Sequence, residues 1–249
     1  MKDGTEIKIA KAVREVFDRR YRRKKVTSLT VSMVIAVLGI TSFLYGLRLE
    51  SIRTIFRWLT VDGTLFTTFG AIAFIVVNLV EMLRDTELTQ VTVYYIRLSS
   101  AVAESIIFAV VLVSQLPVFT EHLPLFDRYD SFVMHVLVPL LGILSFLIND
   151  SPIGRLRPMK RWHGTWFVSC YAVIILTLIG TGLLPSEAIP YPFLNYRDNG
   201  WGVFFAAFVF VYGCGYLMAW AISEGNRTLS WLWFKGIVQS IRKDAGKEG

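Results

Sequence analysis

Apolar residues gather into six runs of roughly 18 to 25, each bounded by charge, proline or glycine, and a helix of that length crosses about 30 Å of hydrocarbon. The runs predict spans at 26–47, 64–83, 98–118, 131–148, 166–184 and 203–222. The expected fold is therefore all-α, a polytopic bundle of six transmembrane helices. Residues 26–222 form the membrane domain, 1–25 a basic cytoplasmic segment and 223–249 a cytoplasmic tail. What remains is short loops, so any chemistry must sit on the helices or at their mouths.

Orientation follows from charge. Of 26 Lys and Arg, 21 fall in the two tails and the loops after the second and fourth runs. Loops rich in Lys and Arg resist translocation, which predicts that both termini are cytoplasmic and that the other loops face outward. Composition agrees with a membrane solvent: 54% of the 249 residues are apolar, 18% are charged, and the mean hydropathy is +0.51. The net charge of +7 crowds at bilayer entry points such as Arg19, Arg20, Arg22, Arg23, Lys24 and Lys25. Anionic lipid explains that placement better than nucleic acid, which is not an expected partner. Ile9, Val13, Val16 and Phe17 recur at helical spacing, as do Trp231, Phe234, Ile237, Val238 and Ile241 in the tail, so both ends are expected to lie on the inner leaflet as amphipathic helices. Cys170 and Cys214 fall inside the fifth and sixth spans, where thiols act as small apolar groups. Gly215 and Ala219 form a small-xxx-small pair available for helix packing.

Ionisable groups inside spans mark sites by default, because a charge at a span's centre costs at least about 2.5 kcal/mol. Glu104 and Asn78 fall at similar depths from the cytoplasmic side, where they can pair as a structural bond or a proton relay. Glu81, beside Arg84, is expected to be solvated. His135 lies four residues into the fourth span from outside, with Pro139 four residues on. Proline lacks the N–H that would bond the His135 carbonyl, so a kink is expected beside the imidazole. Thr67 and Thr68 enter the second span from the same side at nearly the same level. A threonine hydroxyl becomes nucleophilic when a neighbouring base takes its proton, and neutral imidazole suits that task.

The i−3 and i−4 neighbours of His135 are Phe132 and Ser131, so an orienting group is expected from a loop, with Glu187, Tyr191, Asp198, Asp127 and Asp130 all open. His122, His135 and His163 are expected at different levels, so no metal site is expected. No Gly-rich phosphate loop, CxxC pair or HExxH occurs, and no cofactor is expected.

Three short motifs fall in one order: Phe66-Thr67-Thr68-Phe69, Met134-His135 with Pro139, and Tyr191-Pro192-Phe193-Leu194. In these, with its length and span pattern, the chain resembles over residues 60–220 the androgen-induced membrane hydrolase family and its bacterial relatives, multi-pass threonine hydrolases of fatty acid esters of hydroxy fatty acids. The resemblance implies a threonine nucleophile at Thr67 or its neighbour Thr68, with His135 as its partner and the Tyr191 motif nearby. It also implies a bacterial cell membrane as the location. Where the bacterial relatives often carry Ser-Asn, this chain has Gly70 and Ala71.

The expected function is hydrolysis of a lipid ester in a pocket near the outer leaflet, with Tyr191, Phe193 and Pro139 about the substrate. Phe204, Phe205, Phe208 and Phe210 are expected to wall the acyl chain. The expected partners are membrane lipids and a fatty-acyl ester. The alternative is a lipid-binding or transport protein of the same fold, with Glu104 and Asn78 as polar elements of a path.

Overall fold

The structure is a computed structural model describing residues 2–84, 91–115, 128–152 and 154–245. Among these, all regular elements are helical. They are α1 (Lys2–Leu49), α2 (Ile52–Ile55), α3 (Leu59–Arg84), α4 (Val91–Gln115), α5 (Tyr129–Asn149), α6 (Pro158–Gly180) and α7 (Tyr196–Ala245). All but the short α2 are long and apolar enough to cross a membrane, so the all-α, six-span expectation holds. His122, Asp127 and the end of the third predicted span lie outside the described residues.

The bundle is organised around α4, whose span is 67% buried, the largest share of the six. Its middle is built from small or compact residues, with Leu98, Ser99, Ala101, Val102 and Ala103 nearly inaccessible, and α3, α5, α6 and α7 all pack on it. Helix α1 lies against α3 and α5. It presents a stripe of Ser28, Ser32, Ile35, Ala36, Gly39 and Ser42 at spacings of three and four residues, all buried. Small residues let backbones approach where lipid supplies no hydrophobic drive. At Gly39 the approach is so close that a Cβ would stand 1.8 Å from the Thr68 hydroxyl oxygen. The other face of α1, with Val34, Val37, Ile40 and Leu44, is exposed and apolar, as a lipid-facing surface must be.

Several boundaries differ from the sequence expectation. Helix α3 begins five residues earlier than predicted because Leu59 and Val61 are buried in the bundle, while the half-buried Asp62 is carried inside the helix. Helix α4 begins at Val91, which takes Arg97 into the span. The basic N-terminal segment and the tail continue α1 and α7 without a separate element, apart from a break in α7 at Gly200 (φ 79°, ψ 159°). Gly215 and Ala219 face inward: Gly215 meets Thr165, and Gly164 comes so close to Ala219 that an added Cβ would lie 2.7 Å from its methyl carbon.

In α5 the effect of Pro139 takes a specific form. Val133–Leu137 is a π-helical turn, with the Val138 N–H donating to the Val133 carbonyl, and an α-helix resumes with Pro139 in its first turn. Widening the turn removes the clash between the proline ring and the preceding carbonyls. His135 sits in the middle of this turn.

Candidate functional site

A cavity of about 460 Å³ opens between α4, α6 and α7, with the start of α3 and the π turn of α5 at its rim. That is within the usual range for a small-molecule site. Its walls are apolar: Ile106, Ile107 and Val110 from α4, Val168, Ala172 and Leu176 from α6, and Phe204, Phe208 and Phe210 from α7. Phe205, expected in the same wall, is instead 57% exposed on the outer surface of the bundle.

The polar groups of this cavity are few: Trp58 just before α3, Thr60 in its first turn, His135, Tyr171, Tyr191 and Tyr212. A second, smaller cavity of about 260 Å³ shares Trp58, Thr60 and His135 with the first. It is lined by Glu50, Arg128, Asp130 and Ser131 as well. Trp58, Thr60 and His135 therefore stand at the partition between an apolar chamber and a charged one. In the charged chamber the Arg128 guanidinium bonds Asp130 at 2.7 Å and lies 3.8 Å from Glu50. These carboxylates raise the Arg128 pKa further.

Loop segments close over this junction. The Tyr171 hydroxyl donates to the Arg57 carbonyl at 2.7 Å, and the Arg57 guanidinium lies over the Trp58 ring at 5.3 Å. Trp58 meets Tyr191 edge to face, with centroids 6.1 Å apart, and Tyr191 stacks on Phe193. The Tyr191 phenol is close enough to interact with the Thr60 hydroxyl and the Leu59 amide. Burial pushes this phenol up to about 12, so it stays protonated at neutral pH and retains a hydrogen to donate.

The imidazole has a defined tautomer. His135 Nδ1 lies 2.8 Å from the Ser131 carbonyl oxygen and 3.4 Å from its hydroxyl. A carbonyl oxygen only accepts, so Nδ1 carries the hydrogen and Nε2 is left with the basic lone pair. The orienting group expected from a loop is thus the backbone of residue i−4 on the same helix. None of Glu187, Tyr191, Asp198 and Asp130 holds Nδ1.

Thr67 and Thr68 take a different place from the one expected. Thr67 lies about 12 Å along α3 from Leu59, by helical rise, and its hydroxyl donates to Glu104 Oε1 at 2.7 Å. The Thr68 hydroxyl donates to the Thr64 carbonyl at 2.7 Å. Both are buried against glycines of neighbouring helices, Gly142 for Thr67 and Gly39 for Thr68, and neither lines either of the two cavities that His135 borders. The hydroxyl that shares both cavities with the imidazole is Thr60. Reading Asp62 as a loop residue displaced the predicted start of the span past it. A signal was present, since the 57–60 stretch Arg-Trp-Leu-Thr is a typical interfacial entry to a span. Of the residues expected about the substrate, Tyr191 and Phe193 line the apolar cavity. Pro139 is buried at the π-to-α junction and lines neither chamber.

Other polar expectations also changed partner. Glu104 meets Thr67 rather than Asn78, whose amide donates back to the Phe74 carbonyl. Glu81 is only 7% exposed and pairs with Lys25 at 3.1 Å. A buried network at the basic end of the bundle was missed altogether. Arg97 Nε donates to both Asp150 oxygens at 2.9 Å, and its Nη2 donates to the Ser145 hydroxyl at 2.9 Å. Burial pushes the Asp150 carboxyl up, against the opposing pull of the Arg97 guanidinium that it bonds. The Asn226 amide, on α7, donates to the carbonyls of Phe146, Leu147 and Asp150 and so caps the end of α5. Among the described residues no three His, Cys, Asp or Glu side chains converge as metal ligands. Comparison of the chain with protein-family models, with curated proteins and with solved structures yields no match.

Proposed function

We propose that the protein is a membrane lipid-ester hydrolase in which Thr60 is the nucleophile and His135 the base. The acyl chain of the substrate lies in the apolar cavity. One observation carries this reading: Thr60 and His135 are together in the walls of both chambers, where the apolar one meets the charged one. An ester at that partition has its acyl chain on one side and water on the other. With both termini cytoplasmic, the reaction occurs near the outer leaflet.

The chemistry follows from the residues present. His135 Nε2 takes the Thr60 hydroxyl proton as the oxygen attacks the ester carbonyl. The undissociated Tyr191 phenol is the donor for the developing oxyanion, a role whose loss typically costs about 10² to 10³ in rate. Collapse of the tetrahedral intermediate expels the alcohol, which takes its proton from the imidazolium. Water from the charged chamber then gives a proton to His135 as it attacks the acyl-threonine, and the second tetrahedral intermediate collapses to the fatty acid and the Thr60 oxygen, which takes that proton back from the imidazolium. The Nδ1–H bond to Ser131 holds the ring in the required tautomer through both halves.

The apolar cavity alone also favours a second reading, a lipid carrier in which His135 and Tyr191 hold a headgroup without turnover. One experiment separates the two. Purified protein is incubated with p-nitrophenyl acyl esters and a fluorophosphonate probe, comparing wild type with Thr60→Ala, His135→Ala and Thr67→Ala, while fluorescent fatty acid reports binding. The hydrolase reading expects Thr60→Ala and His135→Ala to lose turnover by about 10² to 10⁴ while retaining fatty-acid binding, and Thr67→Ala to keep turnover. Turnover unchanged in Thr60→Ala overturns it. Fatty-acid binding with no turnover by the wild type favours the carrier.

A further inference from the structure

A separate cavity of about 400 Å³ lies at the basic end of the bundle, between α1, the end of α5 and α7. We propose that it binds the phosphate headgroup of an anionic phospholipid. Two cations, Arg23 and Lys24, line it together with the Asn149 amide, and no carboxylate is among its lining residues. Asp150, which also attracts Lys24 electrostatically, does not line the cavity and directs both carboxylate oxygens to the Arg97 guanidinium. The Lys24 ammonium is held over the Trp233 ring at 5.1 Å, which fixes its position within the cavity.

Two further features identify the anion as a lipid's. The apolar run of α1 begins at Val26, directly after the basic residues, and α5 ends at Asn149, so the cavity stands at the level where headgroups meet hydrocarbon. Its flank is apolar and open: Ile148 is 55% and Leu229 41% exposed. A phosphate bound by Arg23 and Lys24 therefore has a surface beside it on which acyl chains can lie. Basic pockets between spans commonly hold anionic headgroups in this way. The site shares no residue with the outer cavities and does not depend on the hydrolase reading.

The test uses the full-length protein, delipidated in mild detergent and titrated with phosphatidylglycerol, phosphatidylcholine or inorganic phosphate while thermal unfolding is followed. Phosphatidylglycerol is expected to raise the unfolding temperature saturably, with neither of the other two doing so. Arg23→Gln and Lys24→Gln are each expected to weaken the apparent affinity roughly fivefold. Lys160→Gln, at an exposed cation in the first turn of α6, is expected to leave it unchanged. Leu229→Trp, which fills the flank and keeps both charges, is expected to weaken it as well. Arg23 is exposed, so its substitution gives a folded protein even if Lys24→Gln does not. An equal response to phosphatidylcholine, an equal response to phosphate alone, an equal loss in Lys160→Gln, or no loss in Arg23→Gln would each overturn the proposal.

Discussion

The two ends of the bundle treat buried polarity in opposite ways. At the basic end a charged pair, a serine and an asparagine are drawn into a tight network that ties α4, α5 and α7 together. At the other end the same helices diverge, and Thr60, His135 and Tyr191 border open space. A polar group in a membrane protein must be paired or must face a cavity. The basic end uses the first solution and the cavity end the second, which separates the residues that hold the bundle from those available to a ligand.

The largest effect expected from this comparison is on Arg97. Arg97→Met leaves the Asp150 carboxylate buried without the guanidinium it bonds, and breaking a buried pair in this way costs about 3 to 5 kcal/mol. Thermal unfolding in detergent should show a large fall in midpoint, and Arg97→Met combined with Asp150→Leu should recover much of it. By contrast His135→Ala, at a cavity wall, should change the midpoint little. If the two substitutions destabilised equally, the division between the ends would be wrong.

Asn226→Ala comes next. It removes a donor that reaches three carbonyls at the end of α5, and carbonyls left buried and unpaired cost about 1 to 3 kcal/mol. Hydrogen exchange should show the last turn of α5 opening ahead of the rest of that helix. Retained protection there would mean that packing, and not the cap, holds the turn.

How far each end could be read from the sequence follows from the same physics. The six spans were legible because a bilayer demands long apolar runs, a requirement local in sequence. The disturbance at His135 was also legible, since Pro139 acts on a carbonyl four residues back; only its resolution as a π turn needed the fold. Arg97 was not legible, because what permits a charge there is Asp150 on another helix. Asp62 misled in the opposite sense: a charge taken as the end of a span proved to lie within a helix, and Thr60 was passed over as a result. The depth match proposed for Thr67 and His135 required α3 to begin at residue 64. With α3 starting at Leu59, the hydroxyl that comes to the imidazole's cavity is seven residues earlier in the chain.

Glu104 lies between the two ends and tests whether the middle of the bundle belongs with the closed end. It is fully buried and accepts from Thr67, and its Oε2 has no hydrogen-bond partner among the described residues. Glu104→Gln keeps both the shape and an acceptor for Thr67, so its unfolding midpoint should stay within about 1 kcal/mol of wild type. Glu104→Ala leaves the hydroxyl unpaired beside a void and should cost about 2 to 5 kcal/mol. Equal losses in the two variants would mean that Glu104 does something a neutral isostere cannot, and the middle of the bundle would then join the functional end.

The smallest effect on stability, and the most direct reading of the open end, is expected from filling it. Ala172 lines the apolar chamber from α6 and is only half-buried, so a larger side chain there can occupy the cavity without displacing packed neighbours. Ala172→Trp should change the unfolding midpoint by less than about 1 kcal/mol, within the range of a surface substitution. Its effect should fall on ligand length instead. Each methylene transferred from water to an apolar site contributes about 0.8 kcal/mol, or about fourfold in affinity. In a series of fatty acids the wild type should therefore gain affinity with each added carbon until the chamber is full. The Ala172→Trp curve should level off several carbons sooner, with short chains bound equally by both proteins. Parallel curves that differ by a constant factor would show that the chain does not enter past residue 172, and the apolar chamber would lose its assignment as the acyl site.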